Sequence, residues 1–259
     1  MGITGTEVTK QAGKMILVDD NFATVVLAVR EGRGILDNIR KFLRYLLSSN
    51  MGEVLTVFLG VVGASFIGLM DEEGGIILPL LATQILWINR ITDSAPAIAM
   101  GLDPHSQDVM TRKPRKPTDR IIYTRMWSGV LQLGVLTALA SLLTVDWMLL
   151  GGLIAGSQTL DQARTGCFTV LVLAQLFNAL SARSETASVF VGLFANRWLC
   201  SAIALALILQ IAVVHWSPLN RAFGTSALTL SQWKFCIAIA SSVFRFSELR
   251  KIVLRLADV

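Results

Sequence analysis

The 259-residue sequence is short of charge: only 16% of its residues are charged, against 53% hydrophobic. Soluble domains carry about a quarter charged residues, so an ordinary water-soluble domain is excluded and the membrane becomes the default setting. Cysteine is also scarce. Cys167, Cys200 and Cys236 stand singly in apolar runs, without a CxxC spacing, and the two histidines, His105 and His215, are far apart. This pattern excludes a zinc site and a disulfide framework and makes the thiols small buried apolar side chains. The first twenty residues are polar and mixed, so no cleavable signal peptide is expected at the start. The formal charge of +5 is modest and fits loops that hold Lys and Arg beside a membrane; no nucleic-acid partner is expected.

Six apolar stretches are present, at 46–69, 76–100, 126–150, 165–182, 198–216 and 230–246. Each approaches the roughly 20 residues needed to cross the hydrocarbon core, the fourth and the sixth being the shortest. The expected fold class is an all-α polytopic membrane protein with six transmembrane helices. Charge on the connections orients them. Arg112, Lys113, Arg115, Lys116, Arg120 and Arg125 follow the second stretch, and Arg245, Arg250, Lys251 and Arg255 follow the sixth, whereas the first hairpin holds Asp71, Glu72 and Glu73 with no basic residue. The positive-inside rule then puts both termini and the basic loop in the cytoplasm.

Residues 1–20 read differently. The apolar run 15–18, closed by Asp19 and Asp20, predicts a buried strand ending in a turn, so a short α/β segment is expected ahead of the helices. Asp20 and Asn21 supply an N-cap. Proline is absent until Pro79, so one helix from 21 to 69 is expected, with 21–45 as a stalk outside the membrane and a length of about 70 Å. Two helices broken near Gly32, Arg33 and Gly34 are the alternative.

Polar residues interrupt two of the stretches. Asn50 and Glu53 lie in the first, and Asn89, Thr92 and Asp93 in the second. A carboxylate in lipid costs at least a few kcal/mol, so such residues face a partner or a pathway. At helical spacing Asn89, Thr92, Asp93 and Pro96 share one stripe, and Asn50 and Glu53 share a face. Two carboxylates, two amides and a hydroxyl form an all-oxygen set of the kind hard cations such as calcium take. Pro96 removes a backbone donor and frees the carbonyl of Thr92, and broken helices at membrane depth line cavities. A polar lock between helices, with no transport role, remains the other reading. Arg90, one turn before Asp93, leaves three readings open: a salt bridge to Asp93, a built-in positive charge replacing a cation, or a side chain snorkelling away. Gln175 and Asn178, three apart in the fourth stretch, are read as packing.

These residues resemble P-type ATPases of the calcium-transporting class. Residues 1–8 (MGITGTEV) resemble the end of that family's phosphorylation domain, and 18–25 (VDDNFATV) with 31–33 (EGR) the approach to its stalk helix. The runs 48–53 (SSNMGE) and 86–97 (LWINRITDSAPA) match its two ligand motifs, and 101–104 (GLDP), 108–110 and 112–114 the loop that follows. The resemblance implies that Asn50, Glu53, Asn89, Thr92 and Asp93 hold calcium. Gln175 stands where two-site pumps carry glutamate, which implies one calcium per cycle, and Arg90 replaces an apolar residue, so both could modulate the site. It further implies residence in a bacterial plasma membrane, in contact with lipid. Segments that such a pump needs for catalysis, the DKTGT aspartate, the nucleotide domain, the TGE loop and a Pro-Glu helix, do not occur here. ATP and Mg2+ would belong to a missing catalytic half, in the same or a separate chain, and the fragment alone is expected to be inactive. Manganese or sodium as the cargo, and a non-enzymatic membrane remnant or regulatory fragment, are the alternatives.

Overall fold

The computed structural model describes residues 1–71, 73–104, 108–114, 120–149, 154, 156–185, 187–190, 192 and 194–257. Glu72, His105, Arg115, Lys116 and the last residue of the expected third span therefore lie outside the described residues. The described part is helical: α1 (Glu7–Ala12), α2 (Ala23–Val62), α3 (Ala82–Trp87), a π-helical turn (Ile88–Thr92), α4 (Ser94–Gly101), α5 (Thr124–Met148), α6 (Leu160–Ser181), α7 (Arg197–His215), α8 (Ser217–Phe223) and α9 (Leu230–Ala257).

The long first helix forms as one piece. It runs unbroken for 40 residues, about 60 Å, through Gly32 and Gly34. It starts where Asn21 Oδ1 accepts from Ala23 N at 3.0 Å, close to the expected cap. It stops at Val62, earlier than expected, because Gly63 caps it and Gly68 then takes a left-handed φ of 73°. Its buried stripe, Gly34, Asn38, Tyr45, Ser48, Ser49, Gly52, Glu53, Thr56 and Gly60, follows helical spacing but is made of small and polar residues. Small residues let membrane helices approach closely. A Cβ on Gly134 of α5 would lie 2.6 Å from Met51 Cγ, and one on Gly52 would lie 3.0 Å from Thr137 Cγ2.

Two expectations are corrected. The run 15–18 forms no strand, and Met15, Ile16 and Val18 are exposed. A lone strand has no ladder partner, and among the described residues none is offered. Asp20 instead turns the chain at a φ of 48° and accepts from Thr4 N at 2.8 Å. The second stretch becomes helical only at Ala82, later than the expected 76, and then passes through α3, the π turn and α4.

Among the described residues four helices, α2, α5, α6 and α7, are long and apolar enough to cross a membrane by length and composition. The fourth expected span, one of the two shortest, proves the most buried. α6 is extended at its start by a capping box between Thr159 and Gln162, and its Phe168, Leu171 and Ala174 are fully buried. Polar Thr165, Gln175 and Asn178 dilute its apolar signal, yet all three are buried too. Cys167 and Cys236 are buried free thiols, as expected, whereas Cys200 is only partly buried.

Contacts gather the connections at two ends. At one end Arg44 donates to the carbonyl of Ala182, Asn196 to that of Ala99 and Arg250 to that of Arg125. At the other, Arg164 meets the carbonyl of Leu78, Gln84 that of Phe223 and Ser226 N the hydroxyl of Thr165. Successive long segments thus alternate in direction, with the stalk end of α2 and the end of α9 on the same side.

Candidate cation site

Three elements converge at mid-bundle. α2 supplies Tyr45, Ser48, Ser49 and Glu53 from one face at spacings of three and four. The π turn and its flanks supply Asn89, Thr92 and Asp93. α6 supplies Gln175 and Asn178. Glu53 is 4% exposed and Asp93 1%, so both carboxyls are removed from bulk solvent.

Glu53 accepts from two amides: Asn89 Nδ2 at 2.7 Å on Oε2 and Gln175 Nε2 at 2.8 Å on Oε1. Asp93 Oδ1 accepts from the Tyr45 hydroxyl at 2.8 Å. Asn178 Nδ2 donates to Ser48 Oγ at 2.7 Å. Each of these contacts bridges two helices. Asp93 Oδ2, Gln175 Oε1, Asn178 Oδ1 and Ser49 Oγ are buried with no hydrogen-bond partner. A buried unsatisfied group costs roughly 1–3 kcal/mol, and native structures keep few of them. The free oxygen of Asp93 and that of Gln175, whose amide already meets Glu53, give the two carboxyls the makings of a donor set for a hard cation, since a cation takes lone pairs that protein donors do not use. Among the described residues no three His, Cys, Asp or Glu side chains come together as a metal cluster; a cation here would rest on two carboxylates completed by neutral oxygens.

The π turn shapes this set. Asp93 N donates to the carbonyl of Ile88 at 2.9 Å, a five-residue closure, and Ser94 Oγ donates to that of Asn89 at 3.1 Å. The break therefore lies upstream of Pro96, which sits in the first turn of α4, where proline is tolerated. π turns concentrate at functional sites.

The expected residues part company here. Glu53, Asn89, Thr92 and Asp93 lie in or beside the buried cluster. Asn50 does not: it is exposed, on the wall of a cavity of about 610 Å3 that also reaches Glu53, Val57, Ile85 and Asn89. Arg90 is exposed, and the ion pair with Asp93 that spacing suggested is absent. The widened turn takes the two side chains off a common face, and Tyr45 occupies the Asp93 oxygen instead. Gln175, read as packing from its spacing alone, hydrogen-bonds a site carboxyl. Tyr45 was missed, although 45, 49 and 53 repeat every four residues toward the same face. Asp103 was missed as well. It is 5% exposed and joins Lys41 at 2.5 Å, Arg183 at 3.1 Å and Asn196 Nδ2 at 3.1 Å, tying the stalk to two loops.

Residues 77–253 match the family described as cation transporting ATPase, C-terminus. The chain is 39% identical over 241 residues to a Bacillus subtilis protein named calcium-transporting ATPase, covering 93% of this chain and 25% of that protein. It is 36% identical over 256 residues to the mouse (Mus musculus) protein named calcium-transporting ATPase type 2C member 1, covering 98% of this chain and 26% of that protein. The chain thus spans about a quarter of the length of these relatives. Together with its four long apolar helices, these matches make it an integral membrane protein. It belongs to the cation-transporting ATPase C-terminal family.

Proposed function

We propose that the chain is the membrane-embedded, cation-binding part of an ATP-driven calcium pump. The observation that carries this reading is the convergence of Glu53, Asn89, Asp93 and Gln175 in a buried cluster with unspent oxygens. The names of the relatives supply the ion. Two carboxylates balance one divalent cation, and the neutral Gln175 adds no third charge, so one calcium is bound per cycle. Binding turns the Asn89 and Gln175 amides so that carbonyl oxygens replace the nitrogens now facing Glu53. Thr92 contributes from the opened turn, and Asn50 guards the approach along the cavity wall. The chain crosses the bilayer six times, with both termini and the basic connections in the cytoplasm. ATP and Mg2+ are handled by a catalytic half outside these residues, which moves the far end of α2. That 40-residue helix acts as a lever that shifts Glu53 against Asn89 and Asp93, changing access and affinity together.

The test is Asp93→Asn in the assembled pump. It removes one of two site charges, and phosphorylation by ATP should lose its calcium dependence. Unchanged dependence would take Asp93 off the ligand set.

A further inference from the structure

A second polar cavity, of about 390 Å3, lies at the junction of α2, the loop after α4, the start of α5 and the loop after α6. Five cations line it: Arg40, Lys41, Arg44, Arg112 and Arg183. Four have carboxylate partners. Lys41 and Arg183 share Asp103, Arg44 meets Glu185 at 2.8 Å, and Arg112 meets Asp37 at 2.7 Å and Asp108 at 2.8 Å. Among the described residues Arg40 has no carboxylate partner. Its guanidinium lies 6.0 Å from the centre of the Tyr123 ring, and its Nε is buried with no acceptor. A guanidinium sealed on one edge without an acceptor is costly, and its planar fork suits a tetrahedral oxyanion.

We propose that this cavity binds a phosphate group, with Arg40 as its principal ligand and Arg44 and Arg112 beside it. The group could arrive on a lipid or as free phosphate. The setting suits a lipid headgroup. Tyr123 precedes the first turn of α5, and at its i+4 and i+8 positions Trp127 and Leu131 are exposed, an apolar track leading from the cavity toward the hydrocarbon. Basic pockets beside membrane helices hold such headgroups. An occupant would bridge α2 to both loops independently of the cation site.

The test uses the full chain purified in detergent. Native mass spectrometry measures retention of phosphatidic acid against phosphatidylcholine, and equilibrium dialysis measures binding of inorganic phosphate alone. The wild type is expected to retain one phosphatidic acid, and Arg40→Gln to weaken retention about tenfold or more, while Arg120→Gln, an exposed arginine outside the cavity, leaves it unchanged. Saturable binding of inorganic phosphate that Arg40→Gln removes would support the same site with free phosphate as its ligand. Equal retention by wild type and Arg40→Gln, equal loss in Arg120→Gln, or no binding of either probe by the wild type would overturn the proposal. Should Arg40→Gln not fold, Arg40→Lys keeps the charge and loses the fork. A loss of about threefold is then expected, and none would refute the site.

Discussion

Replacing Tyr45 by Phe removes one oxygen and nothing else, at a place where that oxygen is the hydrogen-bond donor to Asp93 Oδ1. Both side chains are sealed, Tyr45 at 0% and Asp93 at 1% exposure, so water cannot replace the lost donor. Asp93 Oδ2 already lacks a partner, and the variant would leave the carboxyl with no side-chain donor among the described residues. A hydrogen bond to a charged group contributes about 1.5–3 kcal/mol. A loss near 2 kcal/mol corresponds to a fall in Tm of about 4–8 °C for a chain of this size. The buried thiols Cys167 and Cys236 provide the assay in a Cys200→Ser background, which removes the partly buried third thiol, because a fluorogenic thiol reagent then reaches its targets only on unfolding. A double-mutant cycle with Asp93→Leu isolates the pair, and a coupling of about 1–2 kcal/mol is expected. Added calcium should still raise the Tm of Tyr45→Phe by mass action, since Asp93 Oδ2 and Glu53 remain, and should raise that of Asp93→Asn far less. A Tm within 1 °C of wild type, or a coupling of zero, would refute the contact and with it the role of Tyr45 in holding Asp93.

Three further outcomes are expected. Arg90→Leu should leave the Tm and its calcium response unchanged within about 0.5 kcal/mol, because Arg90 is exposed and not paired with Asp93; a large loss would restore the salt bridge. Gly134→Val should lower the Tm by an amount matching about 1–3 kcal/mol, since its Cβ would meet Met51, whereas Gly32→Ala, with nothing within 4 Å, should stabilise α2 by about 0.5–1 kcal/mol; thermal melting distinguishes the two. The Asp20 carboxyl is lowered from its ordinary 3.8 to about 2 by the Thr4 hydroxyl and by backbone donors. Its hold on residues 2–4 is therefore present above about pH 4 and is lost as pH falls through about 2. Amide exchange at Thr4 across that window should show the change, and Asp20→Asn should abolish the pH dependence.

Long elements were legible in the sequence because their signals are redundant. The uninterrupted run from 23 to 62 and the apolar bodies of α5 and α7 needed only composition, spacing and the absence of proline. The carboxyls Glu53 and Asp93 stood out because charge is rare in such stretches. What was illegible depends on geometry that periodicity assumes away. A pairing of Arg90 with Asp93, one of three readings the sequence left open, assumed a regular helical turn, and the π turn removed it. Asn50 was grouped with Glu53 on a shared face, although 60° of separation is enough to carry one side chain to the cavity wall and the other into the core. Gln175 and Asp103 act through partners 122 and 62 residues away, a distance no local pattern reports. The strand expected at 15–18 had the right composition but no neighbour to pair with.

The turn at Ile88–Thr92 also changes how related sequences should be aligned. A π turn holds one residue more than an α-helix uses for the same closure, so a relative shorter by one residue anywhere in this stretch can keep both flanking helices. A single-residue gap there would then not be an alignment error. It would mark a protein in which the helix runs straight, and in which the residues equivalent to Asn89 and Asp93 present themselves about 100° differently around the axis. In such a relative the identity of the site residues could be preserved while the coordination they offer is not.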